Sequence, residues 1–237
     1  MCRKNAVRRV ITVGIDLQDS VNAVEYAEGR VGFYASVGVH PHDAKDFKNS
    51  ELDKFESLLD NKKVIAVGEI GLDFFRNISE KSLQEKVFLV FLDMASYKKK
   101  PIIIHNREAS EDIVKNVDKI YKDSGAPNGI IHCFNGDKSL LKWALDKGFF
   151  ISFAGPVTYK KSIDLRDTLN YVPLDRIFIE TDCPYLTPEP YRGKLNDPSY
   201  VVYTAYTLSK CLNIEMQQLA KQLEINLCTL FGRLEAF

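Results

Sequence analysis

The sequence predicts a parallel α/β fold, a TIM (β/α)8-type barrel, on three observations. Short apolar, β-branched runs alternate with helix-length amphipathic segments along the whole chain, as βαβ units require. Four of those runs end on a side chain able to bind a metal: VIAVGE on Glu69, PIIIH on His105, GIIH on His132 and RIFIETD on Asp182. The chain has 237 residues, long enough for one large α/β domain or two small ones. We therefore read residues 1–237 as a single domain.

The elements follow in order. Val7–Gly14 reads as a strand and Gln18–Glu28 as a helix. Phe33–Val39 is a second strand, running into His40-Pro41-His42. NSELDKFESLLD offers a cap at Asn49 or Ser50 and apolar residues spaced by three and four, hence a helix. Val64–Glu69 is a strand apolar on both faces, with Gly68 beside the carboxylate to leave it room. Ser79–Lys99 is a long helix with Leu83, Val87, Val90, Phe91 and Met94 on one face. Pro101–His105, Ile130–Cys133, Phe149–Phe153 and Arg176–Thr181 are strands; Glu108–Lys122, Lys138–Asp146 and Lys160–Leu169 are the helices between them. The irregular CPYLTPEPYRGKLNDP then leads to two helices, Ser199–Leu212 and Ile214–Leu234.

This is about seven strands against the eight of a closed barrel. The pattern therefore admits a barrel lacking one βα unit or an open doubly wound sheet. An open sheet gathers its site near one switch point. Candidate ligands on at least four strand ends favour the barrel.

Composition limits the function classes. Lys+Arg and Asp+Glu are both 32, so net charge is zero and any anion must be held by a local patch. No apolar run approaches the ~20 residues of a membrane span, and the basic start MCRKNAVRRV lacks the apolar core of a signal peptide. Five cysteines without a CxxC pair read as reduced thiols, which predicts a cytoplasmic location. No coiled-coil pattern stands out, so a monomer is expected.

All four histidines, His40, His42, His105 and His132, lie at or just past strand ends. Imidazole and carboxylate together suit Zn²⁺, Mn²⁺ or Mg²⁺. Glu69, His105, His132 and Asp182 form such a mixed set, and it points to metal-assisted hydrolysis, with Asp182 placed to orient water or take its proton. Arg107, Arg192 and Lys194 would hold a phosphate. Tyr185, Tyr191, Phe74 and Phe75 could stack on bases, although Phe74 and Phe75 serve a core equally well.

GVHPH (Gly38–His42), GEIGLDF (Gly68–Phe74), HNREA (His105–Ala109), HCFNG (His132–Gly136), Gly155-Pro156 and ETDCPYLTP (Glu180–Pro188) stand in the order of the TatD family of metal-dependent deoxyribonucleases, which the chain resembles over essentially its whole length. The resemblance implies a TIM-barrel fold of the amidohydrolase-like class. It also implies two divalent ions (Mg²⁺, Mn²⁺ or Zn²⁺) and cleavage of DNA phosphodiesters, as a 3′–5′ exonuclease on single strands. It places Glu69 between two metals and Asp182 on the first, these two being the catalytic carboxylates, with His105 and His132 on the second. His40, His42, Arg107, Arg192 and Lys194 would line the substrate groove. TatD proteins begin with a strand whose HxH pair binds the first metal, and that strand is missing here. One βα unit, on the order of two dozen residues, is thus expected to be absent, leaving the first metal only Glu69 and Asp182. Two other readings stay open: an amidohydrolase-type esterase, lactonase or amidase acting on a small molecule, and a catalytically impaired remnant.

Overall fold

The computed structural model describes residues 2–122 and 128–236. Residues group into two compact units, Arg9–Ile131 with Glu235–Phe237, and Met1–Arg8 with His132–Leu234.

The first unit holds five strands: β1 (Val10–Val13), β2 (Phe33–Val37), β3 (Val64–Asp73), β4 (Ile102–Arg107) and β5 (Gly129–Ile131). Each pairs in parallel with the next, from Val10↔Phe33 through Asp73↔Arg107 to Ile104↔Ile131. The order never reverses. A doubly wound sheet needs a reversal, so this unit is wound as barrels are. Helices α1 (Leu17–Ala27), α2 (Leu52–Leu59), α3 (Lys81–Lys98) and α4 (Ser110–Ile120) make the crossovers. Asp16 caps α1 by accepting from the Asp19 amide at 2.7 Å. Under α2 and α3, Phe55 and Phe91 meet edge to face with centroids 4.9 Å apart, both fully buried.

The second unit pairs β6 (Phe150–Phe153) with β7 (Ile177–Ile179), again parallel, from Ile151↔Ile177 to Phe153↔Ile179. Its helices are α5 (Lys138–Asp146), α6 (Ile163–Asp167), α7 (Val201–Cys211) and α8 (Met216–Phe231). Asn226 of α8 ties that helix to the entry of β7 by donating to the carbonyls of Leu174 (3.0 Å) and Ile177 (2.8 Å).

Three expected boundaries move. The strand expected to end at Glu69 runs on to Asp73, with all ten residues buried. Gly68 and Gly71, at φ +153° and +147°, let β4 pass close: a Cβ on Gly71 would collide with the His105 carbonyl, and one on Gly68 would lie 2.7 Å from Ile103 Cβ. Glu69 is therefore inside a bulged strand, between Val67 and Ile70, where the register with β4 shifts. The α2 segment opens on a 3-10 turn at Asn49–Glu51, and Glu51 accepts from the Lys48 amide at 3.0 Å instead of Asn49 or Ser50 acting as cap. Lys160–Leu169 shortens to α6 because the Arg166 guanidinium binds the carbonyls of Val157, Tyr159 and Lys160 and holds that stretch as a loop. No helix is long and apolar enough to cross a membrane among the described residues, and all five cysteines are free thiols.

Candidate metal centre

In the first unit, β2, β3 and β4 bring three donors together. Glu69 Oε1 lies 2.7 Å from His105 Nδ1 and 3.7 Å from His40 Nε2, and the two ring nitrogens are 3.4 Å apart. These atoms all fall within 4.8 Å of one another. His40 is fixed where the chain leaves β2, because its Nδ1 accepts from the His42 amide at 3.2 Å.

Below this group sits Asp73, at the end of β3 and only 1% exposed. Its Oδ2 meets His42 Nε2 at 2.7 Å and lies 3.6 Å from His105 Nε2; its Oδ1 accepts from the amides of Phe75 (3.1 Å) and Arg76 (2.8 Å). Burial opposes its charge, but the His105 ring beside it and hydrogen bonds from the Arg76 amide and His42 outweigh that and hold the carboxyl below the usual carboxylate range. Gln84 braces the same turn, accepting from the Asp73 amide at 2.8 Å and donating to the carbonyls of Asp73 and Ser79.

The second unit carries its own pair. His132 follows β5 and Asp182 lies two residues beyond Glu180, the first residue after β7; His132 Nε2 is 3.5 Å from Asp182 Oδ1. Asp182 sits at φ +58°, a left-handed conformation that turns the backbone sharply out of the strand. On the other side of the ring, His132 Nδ1 is 3.0 Å from the Glu180 carboxylate.

After Asp182 the chain forms a loop braced by Asn196, which is buried. Its Nδ2 donates to the carbonyls of Thr181 (2.7 Å) and Tyr185 (2.6 Å), and its amide donates to the Pro184 carbonyl at 3.1 Å. The Tyr185 amide reaches back to the Asp182 carbonyl at 2.8 Å, while the Tyr185 ring is 71% exposed. The loop's cations lie on aromatic faces: Arg192 is 4.0 Å from the Tyr159 centroid and Lys194 is 5.4 Å from that of Tyr191. Tyr191 in turn stacks on Tyr200. In the first unit Arg107 rides 4.3 Å above exposed Phe75, whereas Phe74 is half-buried with Lys81 over its face.

The family model of the TatD related DNase matches residues 1–232. The chain belongs to the TatD family. Among curated relatives, the uncharacterised metal-dependent hydrolase YabD of Bacillus subtilis is 39% identical over 216 residues, 90% of this chain and 83% of its own. The 3′-5′ ssDNA/RNA exonuclease TatD of Salmonella typhimurium is 32% identical over 231 residues, 95% of this chain and 88% of its own. Among solved structures, the TatD homologue YJJV of Escherichia coli has a TM-score of 0.89 at 24% identity, covering 97% of this chain and 88% of that one. The fold is thus the TIM-barrel type of the TatD proteins, with seven strands among the described residues, and the chain is a metal-dependent hydrolase of that family.

The TatD-type donor set fits a divalent ion. Bonds of 2.0–2.2 Å in a tetrahedral shell separate ligands by about 3.4 Å, close to the 3.4 and 3.7 Å from His40 to its two partners. The third edge, 2.7 Å, is hydrogen-bond length. Glu69 and His105 meet here, as do His132 and Asp182 in their own unit. His40, expected to line the substrate groove, lies within reach of Glu69 and His105, while His42 is turned to Asp73. His40 and His42 are themselves spaced as His-x-His, on the turn that follows β2. Asp73 and Glu180 escaped the reading because a carboxylate next to a recognised ligand has no sequence mark of its own.

Proposed function

We propose that this TatD-family hydrolase cleaves DNA phosphodiesters at single-stranded ends in the 3′–5′ direction, with two divalent ions (Mg²⁺, Mn²⁺ or Zn²⁺). The observation that carries this reading is the pairing of metal-competent donors with exposed cations. Arg107 stands two residues beyond His105, and Arg192 and Lys194 lie on the loop that Asp182 opens. A neutral chain reaches an anionic substrate through such local charge. The Salmonella relative's name supports the same substrate class.

His40, Glu69 and His105 would hold one ion, and His132 and Asp182 would contribute to the other. When bound, such ions acidify water and stabilise charge on phosphoryl oxygens. The chain's own residues do the remainder. Asp182 orients the attacking water and takes its proton. The Arg107 and Arg192 guanidinium groups grip phosphate oxygens, Lys194 adds a point charge, and Tyr185 offers a face for the terminal base. The protein acts as a cytoplasmic monomer.

The test is digestion of single-stranded oligonucleotides carrying a label at either end, with Mg²⁺ or Mn²⁺ and with chelator. Stepwise shortening from the 3′ end that chelator abolishes is the expected result. Intact DNA under both metals, with turnover of a carboxylic ester, lactone or amide, would overturn it in favour of a small-molecule hydrolase.

A further inference from the structure

The second unit contains a carboxylate to which the proposed chemistry gives no role. Glu180 directly follows β7, and three donors converge on it. Ser152 Oγ of β6 donates to Oε2 at 2.6 Å, the Cys133 amide donates to Oε1 at 2.8 Å, and His132 Nδ1 lies 3.0 Å from both oxygens. An ionised carboxylate only accepts. Each of the three contacts must therefore bring a proton, and for His132 that proton sits on Nδ1. The opposite nitrogen, Nε2, is then the lone-pair donor, and it is the one that faces Asp182 at 3.5 Å.

The backbone is shaped to this contact. Cys133 takes φ +42°, an uncommon conformation for a residue with a side chain, and so aims its amide at Glu180. The Phe134 amide donates to the Ser152 carbonyl at 2.9 Å, pinning the segment to β6 one residue further on.

We infer that Glu180 is a positioning residue for the metal: it selects the His132 tautomer and ring orientation that present Nε2, together with Asp182, to a divalent ion. This deepens the metal-dependent reading above and rests on it, but it requires nothing about DNA. Histidine ligands are commonly set in this way by an outer carboxylate, whose loss costs about 10–100-fold in metal affinity.

The test is Glu180→Gln, with Ser152→Ala as a milder change that removes one donor from the carboxylate and leaves it in place. Two quantities are read on the full chain: Mn²⁺ and Zn²⁺ affinity by calorimetry, and the protonation of the His132 ring nitrogens by ¹⁵N NMR without metal, at about pH 8.5, where a histidine of ordinary pKa is neutral. In the wild type, the Nδ1–H form is expected, although free imidazole side chains prefer the other tautomer. Glu180→Gln is expected to mix the tautomers and weaken one class of metal site by about 10–100-fold, and Ser152→Ala to weaken it less. A purely structural role would lower the melting temperature while leaving both readouts unchanged. Unchanged affinity and an unchanged tautomer in Glu180→Gln would overturn the assignment. Should Glu180→Gln fail to fold, the same two readouts in Ser152→Ala decide, an unchanged pair again counting against it. Weakened metal binding in a protein that cuts no DNA would leave Glu180's role standing and sink the nuclease reading alone.

Discussion

Glu69 is a carboxylate with 8% of its surface exposed, flanked by Val67 and Ile70, which are fully buried. An isolated charge in such a place is costly, and it persists because imidazole nitrogens face it. Glu69→Ala should therefore lower metal affinity by about 100-fold or more, since even outer partners are worth about 10–100-fold; calorimetric titration with Mn²⁺ checks this. Asp73 is a different case: it faces imidazoles on one oxygen and two amides on the other. Asp73→Asn replaces charge-assisted bonds by weaker ones and should cost about 1.5–3 kcal/mol of stability, measurable by urea unfolding. At this scale the sequence marked Glu69, His105, His132 and Asp182 because each is a ligand-type residue set against an apolar run. It was not legible for Asp73 and Glu180. Their importance lies in what they touch, and histidine partners 31 to 48 residues away leave no local mark.

At the scale of elements, β3 does two things at once. It is a central strand with neighbours on both edges, and it bulges so that Glu69 can face His105. Gly71 makes this possible by lying against the His105 backbone at φ +147°. Gly71→Ala has nowhere to put its methyl group and should destabilise the protein by roughly 2–4 kcal/mol, with lost metal binding in whatever folds, read by thermal unfolding. Phe91→Ala should cost about 3–5 kcal/mol by emptying the space against Phe55, yet leave metal affinity unchanged in the folded fraction. The comparison separates a glycine that serves the site from a phenylalanine that serves the core. Helix positions were legible from the 3.6-residue period, and α5 stands at Lys138–Asp146 as the pattern predicts. The extension of β3 was not, because a charge and two glycines interrupt the apolar run; the strand continues through pairing with β4, which is tertiary. The shortening of α6 has the same origin, since one arginine binding three carbonyls outweighs helix propensity.

For the molecule as a whole, zero net charge makes any affinity for DNA a property of a few side chains. Binding to single strands should weaken with salt, the logarithmic slope scaling at about 0.7 per phosphate neutralised. Arg192→Ala should reduce that slope by about that amount and leave metal affinity unchanged; fluorescence anisotropy across a salt series, with metal present and turnover blocked by a phosphorothioate end, provides the check. A slope equal to that of the wild type would remove Arg192 from the binding surface. The parallel fold class was legible from alternation alone, because the period of two and the period of 3.6 rarely coexist in such order without βαβ units.

The Asn196 brace has a consequence for how such a protein can change. Its hydrogen bonds fasten both ends of the loop, at Thr181, Pro184 and Tyr185 on one side and at Asn196 itself on the other. Between those fastenings the loop is held again: the Thr187 carbonyl accepts from Tyr159 Oη at 3.1 Å, Thr187 Oγ1 donates to the Lys194 carbonyl, and the Glu189 amide donates to Thr158 Oγ1 at 2.9 Å. Change is thereby confined to outward side chains such as Lys194, where a swap alters the charge the loop presents while its frame stays in place.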